Sequence, residues 1–393
     1  MRVALVAGPD PGHAFPAIAL ARRFADAGDT AVVFTGERWK EVCAQAGLTW
    51  SLLPALAPLP DENDLDAGDR LHARTVRMVE ALRPLVEDGS FDFLVSDLLT
   101  ACGGLTAELV GIPWGELFVQ PMWLPSRGLP PFGLGLERGR GPLGWARDAL
   151  LRRLTASSIA VGEGHRQDAR RKIGLPPTGG EPDIRLIGTV PAFELSRPDW
   201  PANAFLIGPM HVEPTDAVLE PPAGDGPVVM IAPSTATSGQ QGLVEVGLQA
   251  LEDLGVRVVI SSLEAPSTPL PSWVTQGLGR QDVLLRRSSL IICGSGHGIV
   301  SKAWLAGVPL VLVPGGGDQW ELASRAKRQG SAEVVRPLTA QSLRSAVEKV
   351  LGDSSYTDAA RAAGATLSDV SDPVQLCRDV VAGTLSAAVC PVR

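Results

Sequence analysis

Leu290-Ile291-Ile292-Cys293-Gly294-Ser295-Gly296-His297-Gly298-Ile299-Val300-Ser301-Lys302-Ala303-Trp304-Leu305-Ala306-Gly307-Val308-Pro309-Leu310-Val311-Leu312-Val313 is the stretch on which the fold turns. Its first four residues have buried-strand character and the glycines after them form a loop. Ile299 to Ala306 reads as a helix, and Leu310 to Val313 as a second strand. Strands joined through a helix run parallel, because only a crossover returns the chain to the same end of the sheet. A parallel sheet is covered on both faces, which is why its strands read as continuous apolar runs. At the start of the helix, unpaired N–H groups and the positive end of the dipole converge where the glycines permit close approach. The loop is therefore a candidate cradle for a diphosphate, the competing reading being a tight turn.

The same alternation extends in both directions. Val228 to Ala232 and Val256 to Ile260 are further strand runs upstream. At the N-terminus, Val3 to Ala7, a helix over Pro16 to Ala27 and Ala31 to Thr35 make another βαβ unit. In that helix Ala17, Leu20, Ala21 and Phe24 share one face, and Gly28 suits the position just past its end. Phe91 to Ser96 and Trp114 to Val119 continue the pattern. Between them and the second set lies 209–226, rich in Pro and acid with little apolar period. The 393 residues also exceed what one core usually supports. The expectation is an α/β protein of two doubly wound Rossmann-like domains facing a cleft. The N-terminal domain spans 1–208, a linker 209–226, the C-terminal domain 227–372, and a final helix-like segment 373–393.

Composition narrows the function. Apolar residues make up 45% and charged ones 20%, the balance of a globular chain. With a net charge of −8 and both signs interspersed, no basic face is offered to nucleic acid. The apolar run at the start is too short for a signal-peptide core, so a cytoplasmic location is expected. Cys43, Cys102, Cys293, Cys377 and Cys390 are odd in number and far apart, and the five histidines lack ligand spacing. Reduced thiols and no protein-held metal follow. A homodimer is left open.

Open doubly wound sheets bind ligands at the carboxyl ends of their strands. Candidate chemistry therefore belongs there. Gly8-Pro9-Asp10-Pro11-Gly12-His13 ends the first strand, placing His13 at the cleft mouth, where an imidazole can take a hydroxyl proton near neutrality. Phe91-Asp92-Phe93-Leu94-Val95-Ser96-Asp97 ends in a carboxylate that can orient His13. Asp318 and Gln319 follow the strand Leu310 to Val313 and can hydrogen-bond sugar hydroxyls. The competing readings are a turn histidine for His13 and helix caps for Asp97 and Asp318.

From Gly296-His297-Gly298 through Ala303-Trp304-Leu305-Ala306-Gly307-Val308-Pro309 to Pro314 and Asp318-Gln319, the chain resembles the donor-binding segment of GT-B glycosyltransferases. The likeness is to the bacterial macrolide and antibiotic enzymes related to the UDP-glucuronosyltransferases. It implies metal-independent, inverting transfer of a sugar from a UDP- or dTDP-sugar to a small hydrophobic acceptor, with no cofactor. It also implies a donor site made of Gln281, Val283, Gly294, Ser295, Gly296, His297, Gly298, Ile299, Asp318 and Gln319. His13 and Asp97 match a catalytic dyad, and the segment after Pro373 is expected to pack back on the N-terminal domain. The pattern departs from the family at Gly294, where a diphosphate-binding histidine is usual, at Ile299, Arg280 and Leu278. Arg280 and Arg286 are candidates for the missing positive charge.

Trp114 to Trp145 is rich in Trp, Phe, Pro, Leu and Gly without a period, and reads as acceptor-lining loops. Trp123 and Phe132 are its candidate contacts; the competing reading is core packing. Leu143 to Leu154 reads as an amphipathic basic helix with a solvated face rather than a membrane-surface element. Two other functions stay open: a non-catalytic binding protein, suggested by Gly294, and a nucleotide-sugar epimerase.

Overall fold

The computed structural model describes residues 1–57, 59, 67–235, 239–262, 269–388 and 390. Seven parallel strands form the first sheet: β1 (Arg2–Val6), β2 (Thr30–Thr35), β3 (Thr49–Leu52), β4 (Phe93–Asp97), β5 (Trp114–Phe118), β6 (Ile184–Ile187) and β7 (Ala204–Leu206), in the order β3-β2-β1-β4-β5-β6-β7. Six form the second: β8 (Val228–Ala232), β9 (Arg257–Ser261), β10 (Val274–Gly277), β11 (Leu290–Cys293), β12 (Leu310–Leu312) and β13 (Ala332–Val334), in the order β10-β9-β8-β11-β12-β13. Each order steps outward, returns past its first strand and steps outward again, the doubly wound arrangement.

Alternation of side chains sends successive residues of each strand into different cores. Val3 and Leu5 join one apolar cluster and Ala4 and Val6 another; Val229 and Ile231 are likewise separated from Val228 and Met230. Each fully buried Val, Ile or Leu contributes about 1.5–3 kcal/mol, so a one-residue slip in register would expose a whole row. The helix His297–Ala306 is anchored by Trp304, which is fully buried and donates through Nε1 to Ser331 Oγ at 2.8 Å.

The first helix runs over Pro11–Asp26, five residues longer at its start than the apolar period suggests. Pro11 accounts for this: its fixed φ suits a first turn, where its missing N–H costs nothing. The helix Gly141–Lys172 likewise outruns the Leu143–Leu154 reading. Leu143, Leu150, Leu154 and Val161 on it are exposed. Arg147 and Arg153 are exposed among them, so the exposed side of this helix carries both apolar and basic residues. No helix among the described residues is long and apolar enough to cross a membrane.

Residues 209–226 carry no strand or helix. The helix Pro373–Ala382 lies against the first sheet's half: Val374, Leu376 and Cys377 join its core, and Arg378 donates to Asp29 Oδ2 at 2.9 Å. Position 389 and positions 391–393 of the expected terminal segment lie outside the described residues.

Candidate active site at the two switch points

The strand order reverses between β1 and β4 in the first sheet and between β8 and β11 in the second. Loops leaving adjacent strands at such a point diverge to opposite faces and open a crevice. His13 follows β1 and Asp97 ends β4, and the register pairs Val6 with Ser96. Topology thus brings together residues 84 positions apart: His13 Nδ1 lies 2.7 Å from Asp97 Oδ1. A carboxylate only accepts, so Nδ1 carries the proton and Nε2 is left free to take one. The His13 side chain is 20% exposed and that of Asp97 fully buried. His13 stands in the first turn of its helix, not in a turn ahead of it, because the helix begins at Pro11.

Asp97 is held on its other oxygen. Oδ2 accepts from the Thr100 hydroxyl at 2.9 Å and from the Leu99 N–H at 3.2 Å. Thr100 Oγ1 in turn accepts from the Gly8 N–H at 2.8 Å, which ties both strand-ends to one hydroxyl. Burial alone would lower the His13 pKa. The Asp97 hydrogen bond and charge, with Asp10 and Asp318, outweigh that and leave it above 6.5. Burial raises Asp318, while the His13 charge pulls it down, so the two groups sense each other across the cleft.

In the second sheet the crevice is lined by Ser234 after β8 and Gly294 after β11. A Cβ on Gly294 would lie 3.0 Å from Ser234 Cβ and 3.6 Å from Gln319 Oε1, so any larger residue here displaces Ser234. Ser295 follows in the left-handed region at φ 66°, buried, and its hydroxyl has no partner among the described residues. The turn delivers the chain to the helix beginning at His297, whose first amides have no intrahelical acceptor. The backbone of Ser295 to Ile299 therefore forms the anion-attracting end of that helix.

Side chains there point elsewhere. His297 Nε2 meets Thr189 Oγ1 at 2.8 Å and Ser301 Oγ at 3.2 Å, and its ring lies 5.6 Å from that of Phe193. Burial pushes its pKa down to about 3, so the ring brings no positive charge to the loop. Gln319 is buried; its Oε1 accepts from the Gly315 N–H at 2.8 Å and its Nε2 donates to Ser234 Oγ at 3.1 Å. Gln281 accepts from Lys302 Nζ at 3.1 Å and donates to Ser261 Oγ at 3.2 Å, while Val283 sits half-buried on the helix Gln281–Arg286. Arg280 and Arg286 both bond Asp282, at 3.0 and 3.1 Å, and hold its carboxyl down to about 2. Their charges are spent on a neighbour at the same helix start rather than aimed at a phosphate. Among the described residues no group of three or more His, Cys, Asp or Glu could hold a metal.

The two aromatic candidates separate. Trp123 is 39% exposed, with its ring stacked 6.5 Å from Phe118 at the end of β5. Phe132 instead covers the Arg325 guanidinium at 5.3 Å. Beside it the N–H groups of Gly133 and Gly135 donate to Glu321 Oε2 at 3.2 and 2.7 Å, so this loop is fastened to the helix that opens with Gln319. The sequence reading missed Thr100, Ser234 and Glu321. Ser234 could have been found as the strand-end counterpart of His13, and Thr100 by its spacing from Asp97; Glu321 had no local signal.

Residues 265–371 match the family of UDP-glucoronosyl and UDP-glucosyl transferases. The 4'-demethylrebeccamycin synthase of Lentzea aerocolonigenes is 27% identical over 390 residues, covering 90% of this chain and 92% of that protein. The glycotransferase of kitacinnamycin superposes with a TM-score of 0.77 at 18% identity, over 98% of this chain and 99% of that one. A Streptomyces sp. SF2575 glycosyltransferase complexed with thymidine diphosphate gives 0.66 at 19% identity, over 96% and 99%. The chain is a glycosyltransferase of the GT-B fold. In this glycosyltransferase the matched segment spans the glycine loop, Asp318 and Gln319, and the dyad lies in the other half.

Proposed function

We propose that this glycosyltransferase moves a sugar, with inversion and without a metal, from a nucleoside diphosphate donor to a hydroxyl of a small hydrophobic natural product. The acceptor lies on the 1–208 domain and the donor on the 227–372 domain. His13 Nε2 takes the proton of the acceptor hydroxyl as its oxygen attacks the anomeric carbon. The bond from that carbon to the diphosphate oxygen breaks on the opposite face, and the nucleoside diphosphate leaves against the amides of Ser295 to Ile299. Asp97 holds the productive tautomer and stabilises the imidazolium that forms. Asp318 orients the donor sugar. Gln319 supports the Gly315 turn and Ser234, reaching the sugar only by exchanging those bonds. Trp123 lines the acceptor side, with Phe132 behind it on the docked loop.

The observation that carries the reading is the 2.7 Å His13–Asp97 contact at one switch point, facing Asp318 from the other half. Thymidine diphosphate is the preferred leaving group, supported by the structural neighbour that binds it. His13→Ala should leave dTDP affinity near normal by calorimetry while lowering turnover about 10²-fold or more. Turnover that survives the substitution would remove the base.

A further inference from the structure

A cavity of about 490 Å³ lies along the seam between the two halves, outside the His13 crevice. Its walls come from both halves: Arg138 and Arg140 after the docked loop, Phe193 and Leu195 beyond β6, and Arg325 and Arg328 from the helix Gln319–Gln329. Four guanidiniums there face three carboxylates, Glu137 on the wall, Glu321 bonded to Arg325 and the buried Glu194 beside Arg325, in a chain whose net charge is −8. Such a concentration of positive charge against the overall sign is a feature of ligand sites rather than of solvated surface.

Arg325, buried, and Arg328, half-buried, are held by protein partners, and the rim arginines are free. Arg325 donates through Nε to Glu321 at 2.8 Å and through Nη1 to the Phe193 carbonyl at 2.8 Å, and Arg328 through Nη1 to the Gly135 carbonyl at 2.8 Å. Arg138 and Arg140 are exposed, and neither pairs with a carboxylate among the described residues. Half-buried Ala192 and Leu195 supply an apolar wall beside them, with the fully buried Phe193 ring behind it. The volume is that of a small-ligand pocket.

We infer that this seam cavity is a second ligand site, taking an oxyanion carried on an apolar body: a carboxylate or phosphate monoester at Arg138 and Arg140, with its hydrocarbon part on Ala192 and Leu195. The planar forks of two arginines match either oxyanion, and an inorganic ion would leave the apolar wall unused. Because the walls belong to both halves, an occupant bridges them and stabilises the docked arrangement by linkage.

The test is calorimetric titration of the full chain with 2-naphthoate, 2-naphthyl phosphate, 2-naphthalenemethanol and inorganic phosphate, on the natural protein and on Arg138→Ala/Arg140→Ala. One or both naphthyl anions should bind, and the stronger names the oxyanion. The neutral alcohol should bind about tenfold more weakly or worse, and the double variant should lose a similar factor. Saturation with the anion should leave dTDP affinity unchanged. Neither naphthyl anion binding, equal binding of the alcohol, unaltered affinity in the variant, or displacement by dTDP would each overturn the site. Inorganic phosphate binding as tightly as naphthyl phosphate would overturn the apolar part. The two arginines are exposed and outside the proposed catalytic machinery, so the variant is expected to fold, and its circular dichroism and Tm verify that.

Discussion

Asp97→Asn probes the dyad more sharply than removal of His13. The Asp97 side chain is fully buried, and its oxygens have different partners. Oδ1 faces His13 Nδ1 at 2.7 Å, whereas Oδ2 accepts from Thr100 at 2.9 Å and from Leu99 at 3.2 Å. Two donors converging on Oδ2 require an oxygen there, so an asparagine turns its amide nitrogen toward His13. That nitrogen donates to Nδ1, which shifts the ring proton onto Nε2, the atom needed as base. The ring stays in place in the wrong tautomer. Turnover should fall by about 10²- to 10⁴-fold, the range for loss of a positioned general base, or about 3–5 kcal/mol of transition-state stabilisation. Initial rates with a dTDP-sugar and a hydrophobic acceptor measure it, with dTDP affinity followed in parallel and expected to hold. Asp97→Ala is the companion variant. It orphans the Leu99 and Thr100 donors at a cost of about 1–3 kcal/mol in stability, but frees His13 to adopt the productive tautomer. Alanine should therefore retain more turnover than asparagine. Near-normal turnover in the asparagine variant, or the reverse ordering, would refute the tautomer argument, since a merely structural aspartate tolerates its isostere better.

Three other outcomes are expected. The neutral ring is the base and its pKa lies above 6.5, so kcat/KM should rise with pH through that value; Asp10→Asn removes one of the charges raising it and should move the limb to lower pH in a pH–rate profile. In Gly135→Ala, at φ 65°, the new Cβ would lie 2.5 Å from Ser324 Oγ and from Trp320 Nε1. The loop should lift from Glu321 and raise acceptor KM roughly tenfold with dTDP affinity unchanged; an unaltered KM would detach that loop from acceptor binding. Arg170 is buried and bonds Glu108 through two nitrogens at 2.7 and 2.8 Å, so Arg170→Met should cost about 3–5 kcal/mol, read as a lower Tm, with Glu108→Gln added to it restoring part of the loss.

Much of the architecture was legible because it is written locally. A parallel strand buried on both faces is a continuous apolar run, and Val3 to Ala7, Val228 to Ala232 and Leu290 to Cys293 announce themselves without knowledge of their neighbours. Strands of three or four residues near or at the sheet margins, such as β3, β7, β10 and β13, are too short to carry a period, and the sequence reading passed over them. Helix starts were misplaced where proline, not apolar spacing, sets them, as at Pro11.

The sequence by itself determined the two doubly wound sheets, and the strand-ends from which His13, Asp97, the glycine loop and Asp318 project. Each of those follows from a local pattern and a general rule about where open sheets bind ligands. Only the tertiary structure decided which atoms meet. It turned His297 toward Thr189, 108 positions away, bound Arg280 and Arg286 to Asp282, put Thr100 behind Asp97, and set Gly133 on Glu321, 188 positions on. A side chain's partner depends on strand order, register and the docking of two halves, and on which competing donor or acceptor reaches it first when water is excluded. Those are properties of the packed chain, and no window of sequence contains them.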